Sequence, residues 1–136
     1  MTRYMLDTNI ISDLIRHPQG AAARRISEVG EDNVCTSIVV AAELRYGSAK
    51  SRSKRLLEAI AEVLGEISVL PFEAPADVEY GRIRSELETA GTPIGGNDIL
   101  IAAHACATGT TMVTANSEEF ERIRGLDVEN WLTETR

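Results

Sequence analysis

This sequence predicts a three-layer α/β domain with a central parallel sheet of four to five strands. Three observations lead there. Short apolar, strand-like runs alternate with segments of helical spacing, the pattern of parallel strands joined by crossover helices. A carboxylate, Asp7, closes the first apolar run, at the end of a strand where open α/β sheets place their chemistry. Finally, a glycine-rich stretch, Gly91-Thr-Pro-Ile-Gly-Gly96, opens into an almost wholly apolar helix, which must be buried on most sides.

The elements follow in order. Residues 3–6 form the first strand, expected at the centre because later units can wind outward on both sides. Thr8 to Ile15 is a short helix stopped near His17-Pro18, since the residue before proline avoids helical backbone. Gly20 to Val29 is a second helix ended by Gly30. Asn33 to Thr36 is strand two, and Ser37 caps a helix reaching about Ala49. Ser51 to Leu64 repeats apolar residues at Leu56, Leu57, Ile60, Ala61 and Leu64, and Gly65 should end it. Ile67 to Leu70 is strand three. Pro75 to Ala90 is an amphipathic helix with Val78, Ile83 and Leu87 inward, and Asn97 to Thr108 is the apolar helix. Thr110 to Thr114 is strand four, Ser117 to Arg122 a short helix, and Leu126 to Glu129 a small edge strand.

Size and composition set bounds. A length of 136 residues fits one domain, residues 1–136, with room for one core. No apolar run approaches the ~20 residues of a membrane span. The first residues lack the pattern of a secretory signal, so a cytoplasmic location is expected. Cys35 and Cys106 stand apart from any Cys/His cluster and read as free, buried thiols. His17 and His104 do not sit at metal-ligand spacing and read as structural or exposed. Trp131 reads as a packing anchor.

Net charge is −7, which argues against bulk attraction to nucleic acid. The charge is uneven, however. Arg45, Lys50, Arg52, Lys54 and Arg55 fall within eleven residues containing no acid, and twelve of the fourteen cations are arginine. Such a run is either a solvated helix face or a phosphate-contacting edge beside an acidic centre.

The acids themselves form the candidate site. Asp7 is a helix cap or a metal ligand on local sequence. Glu43 lies in the apolar stretch Val39-Val-Ala-Ala-Glu-Leu44, and a buried carboxylate needs a partner. Asp98 starts the apolar helix, where the dipole favours its charge. Asn116 and Glu119 follow strand four and also read as a capping box. Converging carboxylates repel one another, and a hard divalent cation removes that penalty. Mg²⁺ takes a few carboxylates together with waters and phosphate oxygens, which suits phosphodiester hydrolysis. Thr8, Asn9, Ser37 and Asn97 read as caps or as supports for the acids. There is no Walker-type loop and no dinucleotide fingerprint.

Four motifs then occur in order: Met5-Leu-Asp-Thr-Asn9, Ala42-Glu-Leu-Arg-Tyr-Gly47, Gly95-Gly-Asn-Asp-Ile-Leu-Ile-Ala-Ala-His104 and Val113-Thr-Ala-Asn-Ser-Glu-Glu-Phe120. Together they resemble the PIN-domain ribonucleases, specifically the VapC toxins of bacterial toxin–antitoxin pairs. Ile83-Arg84, Gly91 to Gly95 and the ending from Phe120 to Trp131 resemble the subgroup that cuts initiator tRNA in its anticodon loop. The resemblance implies a toxic endoribonuclease dependent on Mg²⁺ or Mn²⁺. Asp7, Glu43 and Asp98 match the family's acidic positions and would hold the metal; Asn116 stands where the fourth acid is usual, so one firm metal is expected rather than two. The resemblance also implies a homodimer neutralised by a cognate VapB antitoxin, with operator DNA reached only through that antitoxin. Two rival readings are a weakly catalytic binding module within such a complex and a metal-dependent phosphohydrolase acting on small substrates.

Overall fold

The fold follows from strands that are very short and entirely parallel. In a computed structural model describing residues 2–133, five strands are ordered β3-β2-β1-β4-β5. They are β1 (Tyr4–Leu6), β2 (Val34–Ser37), β3 (Ser68–Leu70), β4 (Thr111–Val113) and β5 (Val128–Glu129). Every pairing is parallel. The first strand is central, as its early place in the chain predicts. Leu6 lies opposite Thr36 on one side and Val113 on the other, so β1, β2 and β4 end at nearly the same level.

Seven helices make the crossovers: α1 (Thr8–Arg16), α2 (Ala21–Val29), α3 (Ile38–Ser51), α4 (Lys54–Glu66), α5 (Ala76–Thr89), α6 (Gly96–Thr108) and α7 (Ser117–Phe120). The chain first moves outward from β1 through β2 to β3. It then returns across the sheet to β4 and β5. Right-handed crossovers place the helices of these two excursions on opposite faces. The reversal leaves a switch point between β1 and β4, where α/β sheets open a crevice beyond their strand ends.

Local chemistry explains most boundaries. Ser37 caps α3 by accepting from the Val39 amide at 3.0 Å. Gly109 ends α6 with φ +67, a conformation that side chains with a Cβ rarely adopt. The predicted Ser51 start of α4 is displaced: α3 runs on through Ser51, Arg52 turns the chain at φ 59, and Ser53 caps α4 by accepting from the Leu56 amide at 3.1 Å. Gly65 does not stop α4, which reaches Glu66, because glycine weakens a helix without breaking it. The short helix after β4 ends at Phe120, before the predicted Arg122.

The core lies around β1, β2, β4 and α6. Met5, Leu6, Cys35, Met112 and Val113 from the strands are fully buried with Ile101, Ala102, Ala103 and Ala105 of α6. His104 is also buried. Its Nδ1 lies 2.7 Å from the Ser37 hydroxyl and its ring packs edge-on against Phe72, so burial holds its pKa below the ordinary value. Both cysteines are free; Cys35 is buried and Cys106 half-buried. Ile83 and Leu87 of α5 point inward, but Val78, expected beside them, is exposed. It occupies the first turn of α5, with Ala76 taking the buried place instead.

Trp131 closes the far edge. Its ring is buried, sits 5.4 Å from Tyr4, lies beneath the Arg25 guanidinium at 5.4 Å, and donates from Nε1 to Glu129 at 2.9 Å. Trp131→Ala is expected to lower unfolding free energy by about 3–5 kcal/mol, read as a shifted urea midpoint.

Candidate functional site

The carboxylates meet where the sheet reverses direction. Asp7 follows β1, Thr114 follows β4, and the Asp7 amide donates to the Val113 carbonyl at 2.9 Å. The N-termini of α1 and α6 and the second turn of α3 border the same strand ends. Each segment carries one of the polar groups singled out from the sequence.

Asp7 is buried, with 4% of its surface exposed. Its Oδ1 accepts from the Thr8 amide at 2.7 Å, and its Oδ2 accepts from the Thr114 hydroxyl at 2.8 Å. It is therefore both a helix cap and a member of the site, which the sequence leaves as alternatives. Burial raises its pKa despite these donors, with Glu43 and Glu119 adding repulsion.

Glu43 finds the partners its apolar surroundings demand. The Thr8 hydroxyl donates to Oε1 at 2.6 Å and Asn97 Nδ2 donates to Oε2 at 3.1 Å. Thr8 thus joins two acids: its amide holds Asp7 and its hydroxyl holds Glu43. Asn97 ties Glu43 to the start of α6, one residue before Asp98. The expectation that Thr8 and Asn97 support the acids is met; Asn9 does so at one remove, its Oδ1 accepting from the Ala115 amide at 3.0 Å.

Asp98 sits in the first turn of α6 and carries the largest perturbation. Its pKa is pushed up to about 6, first by burial and then by Asp7, Glu119 and Glu43. Glu119 also repels Asp7. The expected capping box at Asn116 and Glu119 does not form. Asn116 supplies no side-chain cap, and Glu119 acts on Asp98 by charge repulsion instead.

Asn116 is exposed. Its link to the site is through the backbone: its amide donates to the Thr114 hydroxyl at 3.1 Å. Thr114 is the residue sequence reasoning missed, having been read only as the end of strand four. Its hydroxyl donates to Asp7 and accepts from Asn116, so it fixes one carboxylate oxygen relative to the turn before α7. Its level with Asp7 is set by the β1–β4 register, which no local pattern announces.

Among the described residues, no three His, Cys, Asp or Glu side chains form a ready-made metal-binding group. The donor set nevertheless suits a hard cation. Asp7, Glu43 and Asp98 offer carboxylate oxygens, and Asp98 is repelled by Asp7, Glu119 and Glu43. Asp7, Asp98 and Glu43 are the groups that could hold Mg²⁺, which takes few carboxylates and completes its shell with water and phosphate oxygens.

Comparison with known proteins fits this geometry. The PIN domain family model matches residues 4–126. The chain is 39% identical to ribonuclease VapC2 of Rickettsia felis over 94% of this chain and 97% of that protein. The chain belongs to the PIN-domain family, among its VapC ribonucleases. It is also 39% identical to the tRNA(fMet)-specific endonuclease VapC of Shigella flexneri, covering 96% of this chain and 99% of that one. VapBC2 from Rickettsia felis, solved bound to a promoter DNA fragment, superposes with a TM-score of 0.88 at 38% identity, over 96% of this chain and 99% of that one. DNA-bound VapBC from Salmonella typhimurium gives 0.89 at 36% identity, again over 96% and 99%. The carboxylate cluster of this PIN domain therefore stands in a fold shared with solved toxin–antitoxin complexes.

The raised pKa has a consequence for stability. Asp98 starts from 3.8 and reaches about 6 in the folded chain, so the folded state binds more protons between those values. Stability contributed by the protonated form is present at low pH and lost as pH rises through about 6. Asp98→Asn is expected to raise the metal-free protein's stability by about 1–2 kcal/mol at pH 7.5 and to change it little at pH 4. Thermal melts at the two pH values in chelator check this.

Proposed function

We propose that this chain is a metal-dependent endoribonuclease toxin that hydrolyses RNA phosphodiester bonds and is neutralised by a cognate VapB-type antitoxin. The observation that carries the reading is the hydrogen-bonded convergence of Asp7 and Glu43 on Thr8, with Asp98 facing them, at the switch point of a VapC-type PIN domain. The curated names of its relatives, ribonuclease VapC2 and tRNA(fMet)-specific endonuclease VapC, support RNA as substrate, with initiator tRNA as the favoured target. The similarity to VapBC complexes, two of them on DNA, supports the antitoxin partner, with operator DNA contacted through it. A homodimer is part of the same proposal.

In this reading Asp7 and Asp98 hold Mg²⁺, with Mn²⁺ as a substitute. When bound, such an ion neutralises the carboxylates, lowers the pKa of a water and steadies the departing oxygen of the phosphodiester. The chain supplies the rest. Thr8 and Thr114 fix both oxygens of Asp7 and so set the orientation of its carboxylate. Glu43, steadied by Thr8 and Asn97, holds metal or orients the attacking water and accepts its proton. Asn116 completes the polar shell from the outer side, its amide oxygen or nitrogen positioning water or phosphate. Glu119 joins through Asp98.

Purified chain should cut RNA in Mg²⁺ and not in chelator. Sequencing RNA ends after brief expression would show one dominant cut; uniform degradation or intact RNA would remove the proposal. Asp7→Asn or Asp98→Asn is expected to reduce cleavage at least about a hundredfold with the circular dichroism spectrum unchanged. Asn116→Ala is expected to cost less, about tenfold, because its side chain stands outside the carboxylate network.

A further inference from the structure

Among the described residues some cations stand in ion pairs and others do not; Arg3, Arg16, Arg24, Arg45 and Arg122 are unpaired but scattered along the chain, whereas four unpaired cations crowd into Lys50 to Arg55. Arg25, Arg82, Arg84 and Arg124 are tied to glutamates. None of the ion pairs among the described residues includes Lys50, Arg52, Lys54 or Arg55, and all four are exposed. They gather at the corner where α3 gives way to α4. Lys54 and Arg55 open α4, whose first turn holds no acid. A helix N-terminus repels cations and attracts anions, so this arrangement works against local helix stability and favours an anionic ligand.

The same corner is joined to the carboxylate centre by one stripe of α3. Glu43, Tyr46 and Lys50 are three and four residues apart, which puts them on one flank of the helix. The stripe runs about 10 Å along the axis. Tyr46 is 67% exposed, although an aromatic ring is costly to leave in water. The Lys50 ammonium lies 6.0 Å from the centre of its ring. Arg45, two residues from Glu43, faces the other flank and is not part of the stripe. An exposed ring between a reacting centre and free cations is the arrangement by which proteins hold single-stranded nucleic acid: bases stack and phosphates are neutralised.

We infer that the α3 stripe of Tyr46 and Lys50, continued by Arg52, Lys54 and Arg55, is the path along which the RNA strand runs from the carboxylate centre. A base stacks on Tyr46, and the phosphates beyond it meet the corner cations. This rests on the nuclease reading. It adds that the α3 flank, where the free cations are densest, binds the strand beside the scissile bond. These residues touch no reacting atom, so they set KM and leave kcat.

Binding of the Asp98→Asn chain to bulk tRNA, measured across a range of KCl concentrations, reads the path without turnover. Tyr46→Ala should weaken binding about tenfold, and Tyr46→Phe should retain it, since stacking survives loss of the hydroxyl. Lys50→Ala with Arg52→Ala should flatten the log–log salt slope by about 1.4, the share of two single-strand phosphates. In the wild-type background the same changes should raise KM at constant kcat. If wild-type chain cleaves tRNA while these variants keep its salt slope and KM, the path is wrong and the nuclease reading stands. If wild-type chain neither binds nor cleaves RNA, both fall. If the variants instead lose a co-expressed antitoxin or change oligomeric state with KM unchanged, the corner is a protein-binding surface and the inference is overturned.

Discussion

Everything in this molecule's site depends on Asp7 being held by two segments at once. Its backbone closes β1 against β4, one oxygen caps α1, and the other is fixed by Thr114 beyond β4. A buried carboxylate without such donors would be expelled or neutralised. With them it stays in place beneath two further acids. The strands are only three residues long where this happens, so their parallel register translates directly into the spacing of Asp7 and Thr114.

The surrounding groups share donors in an economical way. Thr8 serves Asp7 through its amide and Glu43 through its hydroxyl, and Asn97 links Glu43 to the helix bearing Asp98. Three chain segments distant in sequence are thereby locked by short polar side chains with few rotamers, at little entropic cost. What the network does not provide is positive charge. The carboxylates are oriented yet remain mutually repulsive, so the site is organised in shape before it is balanced in charge.

Much of this was legible in the residues. The strand ends, the buried α6 and the acids Asp7, Glu43 and Asp98 are marked by local patterns whose physics is short-ranged: apolar runs, a serine cap, one acid in an apolar helix. What escaped was decided by contacts between distant segments. Glu119 reads locally as half of a capping box, and only the folded chain brings it within electrostatic reach of Asp98. Thr114 looks like any strand threonine until β1 and β4 are aligned. Val78 is expected inward with Ile83 and Leu87, yet it stands about 200° round α5 from the buried Ala76 and faces out. At the α3–α4 junction Ser51 and Ser53 compete as caps, and the left-handed Arg52 settles it in a way no residue preference announces.

The division of the cations also gives the molecule an electrical direction. Its net charge is −7, and the arginines of α5 are already matched by glutamates on their own helix. The densest run of unmatched positive charge among the described residues, Lys50, Arg52, Lys54 and Arg55, lies at the α3–α4 corner, so the charge of this anionic chain is unevenly placed. A net negative body repels a polyanion at long range, and a local cluster of free cations lowers that repulsion on the side that bears it. Acidity overall and a dense basic run in one place thus make the angle of approach matter to an anionic partner.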